Sequence, residues 1–304
     1  MQLRRLGRTD LDIAPLVLGG NVFGWTADKA RSFEVLDRFA AAGFTAIDTA
    51  DVYSAWAPGN HGGESETIIG EWMKARGRRS RTIVVTKVGS PMGKSKEGLS
   101  PGYIEEACEA SLKRLQTDVI DLHLSHWPDM ATPIADTLGA YQRLIEKGKI
   151  RWCGASNLTP ALLEQAVAAA RERGGPRYEV LQPEYNLVER RGFEDGLADI
   201  CRREAIGVIT YSSLAKGFLS GKYRSEADLA KSARGGGVKG YLNPRGFRIL
   251  DALDAVAARR QARPAEVALA WIIAKPAVTA PIASATSVEQ VESLIRATEL
   301  ELSK

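Results

Sequence analysis

Short β-rich runs alternate along the chain with longer amphipathic ones. Eight runs read as strands: residues 16–18, 45–47, 82–86, 119–124, 151–154, 180–182, 208–210 and 278–282. Most are short and apolar without strict alternation, the pattern of strands buried on both faces. Between them, residues 29–42, 64–75, 133–147 and 160–172 carry the three-to-four spacing of helices with one apolar face. Ser100 followed by Pro101 predicts a helix start, with the hydroxyl as cap and proline at the first position. Residues 3–13 read as an opening hairpin.

Successive strands start 28 to 37 residues apart, about one strand-and-helix unit, until a last step of 70. No linker interrupts the series. This predicts one domain over residues 1–304, an α/β fold of the (β/α)8 TIM barrel type. It carries an N-terminal β-hairpin and extra helices, at 247–262 and 264–275, between strands 7 and 8. A doubly wound sheet is the alternative. The long last step also holds a polar, glycine-rich segment at 221–246, expected as a mobile loop on the face where barrel sites form.

Composition adds exclusions. Of 304 residues, 44% are apolar and 26% charged, which rules out a disordered chain or a coiled-coil rod. The net charge of +4 is mild and spread out, so no nucleic-acid partner is expected. No apolar run could span a bilayer, and no apolar stretch follows Arg4 and Arg5 as a signal peptide requires. Three cysteines, Cys108, Cys153 and Cys201, suit a reducing compartment. The expectation is a cytoplasmic protein without a membrane partner, either monomer or homo-oligomer.

Three tempting motifs fail. Gly235 to Gly240 matches G-x-G-x-x-G but follows Ser232-Ala233-Arg234 rather than a strand, so a flexible loop is expected. Gly89 to Ser95 resembles a phosphate loop, but Val88 stands where its first glycine belongs. His123 and His126 lie three apart on a strand and face opposite ways, so no metal site is expected.

Barrel sites form at the C-terminal strand ends. Strand two ends at Asp48, with Tyr53 five residues on, and strand three at Lys87. Strand four ends at His126, strand five at Ser156-Asn157, strand six at Gln182 and strand seven at Tyr211. A free tyrosine has a pKa of roughly 10, too high for an efficient acid at neutral pH. A neighbouring ammonium lowers it. Lys87 is the candidate ammonium, Asp48 its anchor, His126 the group orienting a carbonyl oxygen, and Tyr53 the proton donor. No side chain here can reduce anything, so a cofactor must bring the hydride.

At these residues the chain resembles the aldo-keto reductase superfamily, in its bacterial short-tail branch. The matching stretches include Asp48-Thr49-Ala50-Asp51-Val52-Tyr53, Val85-Thr86-Lys87, His123-Leu124-Ser125-His126, Gly154-Ala155-Ser156-Asn157 and Leu214-Ala215-Lys216-Gly217. The resemblance implies reduction of aldehyde and ketone carbonyls by NADPH, with NADH as the other cofactor. Asp48, Tyr53, Lys87 and His126 become the catalytic set. Ser156, Asn157 and Gln182 would hold the carboxamide, and Tyr211 would stack on the nicotinamide. Ser212, Leu214, Lys216, Gly217 and Lys222 match a loop over the pyrophosphate, and Arg234 a phosphate contact. Ser284, Thr286 and Gln290 fall at the adenosine end, where the usual cation is missing and Leu294 replaces a common asparagine. Trp25, Trp56 and Trp127 are expected to wall the substrate pocket. Two rival readings remain: a nucleotide-sensing subunit like the β subunits of potassium channels, and a lyase using Lys87 as a Schiff base.

Overall fold

A computed structural model describes residues 2–93 and 96–302. Two strands, β1 (Arg4–Arg5) and β2 (Asp12–Ile13), form the antiparallel opening hairpin. Eight more close into a parallel barrel: β3 (Val17–Gly19), β4 (Ala46–Asp48), β5 (Ile83–Val88), β6 (Ile120–Ser125), β7 (Ile150–Ser156), β8 (Val180–Gln182), β9 (Gly207–Thr210) and β10 (Ala280–Ala283). β10 pairs with both β3 and β9, which completes the ring.

Around it run α1 (Lys29–Ala41), α2 (Glu64–Arg76), α3 (Pro101–Leu115), α4 (Ile134–Glu146), α5 (Pro160–Arg173), α6 (Arg191–Glu194), α7 (Leu197–Glu204), α8 (Pro244–Arg260), α9 (Pro264–Ile273) and α10 (Val288–Glu299). Local chemistry starts several of them. Asp28 accepts from the Arg31 amide at the head of α1, Thr159 precedes Pro160 of α5, and Asn243 precedes Pro244 of α8. Ser100 stands at the start of α3 as expected, yet its side chain makes no capping bond, so Pro101 alone marks that start.

Helices α8 and α9 are the extra pair before the last strand. The glycine-rich segment ahead of them is not an open loop. It folds into 3-10 turns at Glu226–Lys231 and Gly235–Tyr241, and the second contains the G-x-G-x-x-G match. In the phosphate-loop resemblance, Lys94 and Ser95 lie outside the described residues; the next helix starts only at Pro101.

The apolar positions form two concentric layers. Leu18, Ile47, Val84 and Ala155 point outward against the helices. Val17, Ala46, Val85, Leu122, Leu124, Val180 and Ile209 point inward. Leu6, Leu11 and Ile13 of the hairpin join the inward layer and plug the end of the barrel where the strands begin. His123 faces outward, fully buried, with its ring edge-on to Tyr141, a packing role.

Candidate active site

Side chains on a strand alternate, so the residue two beyond an inward apolar one also faces inward. Ala46 leads to Asp48, Val85 to Lys87, Leu124 to His126, Val180 to Gln182, and Ile209 to Tyr211. The polar groups therefore form one layer just beyond the apolar filling, at the open end of the barrel.

Lys87 is completely buried and commits all three ammonium hydrogens. They go to Asp48 Oδ2 at 2.9 Å, the Thr49 carbonyl at 2.7 Å and Tyr53 Oη at 2.9 Å. That saturation weighs against the Schiff-base reading, which needs a free amine. Tyr53 Oη donates to Asp48 Oδ2 at 3.3 Å, and Gln182 Nε2 donates to Asp48 Oδ1 at 2.8 Å.

The His126 ring lies 6.0 Å from the Tyr53 ring, and its Nδ1 is 2.9 Å from Ser90 Oγ. When the serine donates, Nε2 carries the ring proton and is left as a donor. The His126 carbonyl accepts from Asn157 Nδ2 at 2.9 Å, and Asn157 Oδ1 accepts from Tyr211 Oη at 2.7 Å. Ser156 Oγ donates to the Gln182 carbonyl at 2.7 Å. Asn157 Nδ2 also donates to Ser156 Oγ at 3.2 Å, which joins these residues into one connected network.

A cavity of about 500 Å³ opens above it, lined by Asp48, Tyr53, Trp25 and Trp56 on one side. Tyr211, Ser212, Leu214, Lys216, Gly217, Arg234 and Ser284 line the rest. Two larger depressions elsewhere hold no strand-end chemistry; one lies at the barrel's plugged end around Arg79, Asp121 and Arg151.

Nine expected site residues do not line the cavity: Lys87, His126, Ser156, Asn157 and Gln182 belong to the network beneath it, and Trp127, Lys222, Thr286 and Gln290 stand apart from both. Trp127 is half exposed and stacks beside the His126 ring at 6.1 Å, at the rim. Lys222 lies over the Tyr223 ring. Thr286 and Gln290 bond to each other, Gln290 Oε1 accepting from the Thr286 amide at 2.9 Å. Conversely, Gly19 and Asn21 line the cavity without having been expected. Applying the strand-end rule to strand one, which ends Leu18-Gly19-Gly20-Asn21, points to both. A Cβ on Gly19 would fall 2.6 Å from Ser284 Oγ, so glycine is what lets that hydroxyl reach Asn21 Oδ1 at 2.5 Å. Ser90, the partner of His126, had no sequence signal.

Behind the network lie two buried acids. Glu66 accepts from Thr86 Oγ1 at 2.5 Å and from Arg114 Nε at 2.6 Å. Asp51 is buried with no partner among the described residues for either carboxyl oxygen, although its amide donates to the Lys87 carbonyl at 3.2 Å.

Burial sets most of the electrostatics. It pushes Lys87 down, opposed by Asp48. His126 is pushed down to about 3 by burial and then by the Lys87 charge, so the imidazole is neutral at pH 7. Tyr53 corrects an expectation. Burial, then the Asp48 carboxylate, hold its phenol well above the ordinary value rather than below it. The lone ammonium is outweighed because it is already neutralised by Asp48. The phenol therefore keeps its proton at neutral pH and stands as a donor.

Comparison with known proteins matches this architecture. The aldo/keto reductase family model covers residues 15–304. The chain belongs to the aldo/keto reductase family. Among its relatives, Protein tas of Escherichia coli is 32% identical, the alignment covering 100% of this chain and 95% of the relative. The uncharacterized oxidoreductase YrpG of Bacillus subtilis is 33% identical over 100% of this chain and 93% of its own. A probable voltage-gated potassium channel subunit beta of Arabidopsis thaliana is 31% identical over 99% and 92%. Aldo/keto reductases are oxidoreductases that use nicotinamide dinucleotides on small carbonyl compounds. No helix of this one, among the described residues, is long and apolar enough to cross a membrane, and no cluster of metal-binding side chains occurs among them.

Proposed function

We propose that this aldo/keto reductase reduces aldehyde and ketone carbonyls to alcohols with NADPH or NADH, and that Tyr53 supplies the proton. The observation that carries the reading is the Tyr53 phenol. It faces the cavity, keeps its proton, and touches both Lys87 and Asp48.

The cavity fits a dinucleotide. Arg234 lines it with its guanidinium largely withdrawn from water and, among the described residues, no carboxylate beside it, a cation awaiting an anion. Ser212, Ala215, Lys216 and Gly217 all have positive φ, a local cost of roughly 1–3 kcal/mol per non-glycine residue that recurs at ligand clamps. In this reading Ser212, Leu214, Lys216, Gly217, Lys222 and Arg234 hold the pyrophosphate. Asn157, Ser156 and Gln182 hold the carboxamide, with Tyr211 against the ring; Ser284, Thr286 and Gln290 serve the adenosine end. The dinucleotide supplies a hydride.

The chain's own residues do the rest. His126, neutral, donates Nε2–H to the carbonyl oxygen and fixes its direction. Tyr53 gives its proton to that oxygen as negative charge develops there. Lys87, 2.9 Å from Tyr53 Oη, stabilises the phenolate left behind. Asp48 keeps Lys87 charged and in place. Trp25 and Trp56, edge to face at 5.7 Å, form an apolar wall that suits uncharged carbonyl compounds, and Trp127 extends it at the rim. We place this chemistry in one barrel domain of a cytoplasmic protein, in line with three buried free cysteines among the described residues.

The relatives named as channel β subunits favour a second reading, nucleotide sensing with little turnover. Titration of tryptophan fluorescence with NADPH and with NADH, followed by carbonyl turnover, separates the two. Binding with rapid turnover supports the reductase; binding with negligible turnover on every carbonyl supports the sensor. No binding of either nucleotide sinks both.

A further inference from the structure

One side of α8 borders the core without being fully covered: Leu253 is buried in the core, Ile249 and Val256 are half-buried against it, and Ala252 is exposed. Ile249, Ala252, Leu253 and Val256 follow one another at the spacing of a single helix face. Arg245 and Arg248 precede them and Arg259 and Arg260 follow, all on the same arc of about 140° at 100° per residue. Across from this face stand Trp271 of α9 and Leu302, and the groove between encloses about 810 Å³.

Five arginines line the groove and, among the described residues, no carboxylate does. Arg190 is paired with Glu194, and Arg245 donates to the Val188 carbonyl at 2.7 Å. Arg248, Arg259 and Arg260 meet no carboxylate among the described residues. The helix's own acids, Asp251 and Asp254, fall outside the arc, and Asp254 binds Arg224 at 2.9 Å. The Trp271 ring already holds Lys275 at 4.1 Å and Arg190 at 5.4 Å, so the far wall is cationic too.

We propose that this groove docks an amphipathic helix of a partner protein, one with carboxylates at both ends of an apolar stripe three turns long. The length follows from the cations. Arg248 and Arg259 are separated by about 16 Å along the axis, or three turns. A fatty-acid-like amphiphile has one head and would satisfy one end only. A helix with acids at both ends pairs both clusters while its apolar side covers the open parts of Ile249, Ala252 and Val256. Charge complementarity at the ends fixes register and polarity is left to the stripe.

The test uses the full-length protein and a labelled peptide of about 18 residues, with leucines at helix spacing and glutamates at both ends. A version with lysines for glutamates is the control, and dodecanoate is a third probe. Fluorescence anisotropy should show saturable binding of the acidic peptide, weaker by roughly tenfold or more for the basic one. The Arg248→Glu, Arg259→Glu double variant should lose roughly tenfold or more while its circular dichroism is unchanged. The proposal is overturned by no saturable binding of the acidic peptide up to about 1 mM. Equal binding of both peptides, indifference to the charge reversal, or saturation by dodecanoate alone would each overturn it as well.

Discussion

Replacing Asp51 by asparagine removes a buried acid while keeping its shape. Asp51 is 1% exposed and neither oxygen has a partner among the described residues. Burial, and then the neighbouring Glu66, push its pKa up to about 8 from 3.8; the Arg114 and Lys87 charges pull back only in part. The unfolded chain releases this proton near pH 4, whereas the folded protein keeps it to about pH 8. Across that window the folded state binds one proton more, so rising pH costs stability at about 1.4 kcal/mol per unit. The contribution is full below the unfolded value and gone above about pH 8. From pH 5 to pH 7 the wild type should lose about 3 kcal/mol relative to Asp51→Asn. Urea denaturation of both proteins at pH 5, 6 and 7 measures this directly. Every other titrating group is common to the two, so the difference isolates Asp51. Parallel stability curves would refute the reasoning and show that Asp51 is ionised in the fold.

Four further outcomes follow from the site. Tyr53→Phe should lower kcat by roughly 10²–10⁴ with nucleotide affinity nearly unchanged, because only the proton donor is lost; a variant retaining most turnover sinks the mechanism. Arg234→Ala should weaken NADPH binding by roughly tenfold or more, read by fluorescence titration, since a charge-assisted bond to phosphate is worth about 1.5–3 kcal/mol. His126 is neutral down to about pH 3, so kcat/KM should show no inflection near the ordinary histidine value of about 6.5. An inflection there that vanishes in His126→Gln would contradict its neutral role. Glu66→Gln should destabilise by about 2–3 kcal/mol in denaturant, at the lower end for a broken buried pair because Arg114 keeps some contact with water.

The rhythm of apolar runs was enough to place all eight barrel strands, because a parallel strand buried on both faces must be written in apolar residues whatever surrounds it. Period-two alternation then carried Asp48, Lys87, His126, Gln182 and Tyr211 to one mouth. Those positions follow from local geometry, and local geometry is legible in order along the chain. The 3-10 turns over residues 226–241 were not, since glycine permits a folded turn as readily as an open loop. Nor was the proton on Tyr53. The sequence sets an ammonium beside the phenol, but burial and the Asp48 carboxylate, which outweigh it, exist only once the barrel has closed. Asp51 and Glu66 look like ordinary surface acids in the text of the chain. Tertiary packing alone withdraws them from water, leaving one with Arg114 and the other with its proton. The sequence determined which residues face inward; the fold decided which of them keep their charge, because desolvation depends on everything packed around a group and not on its neighbours along the chain.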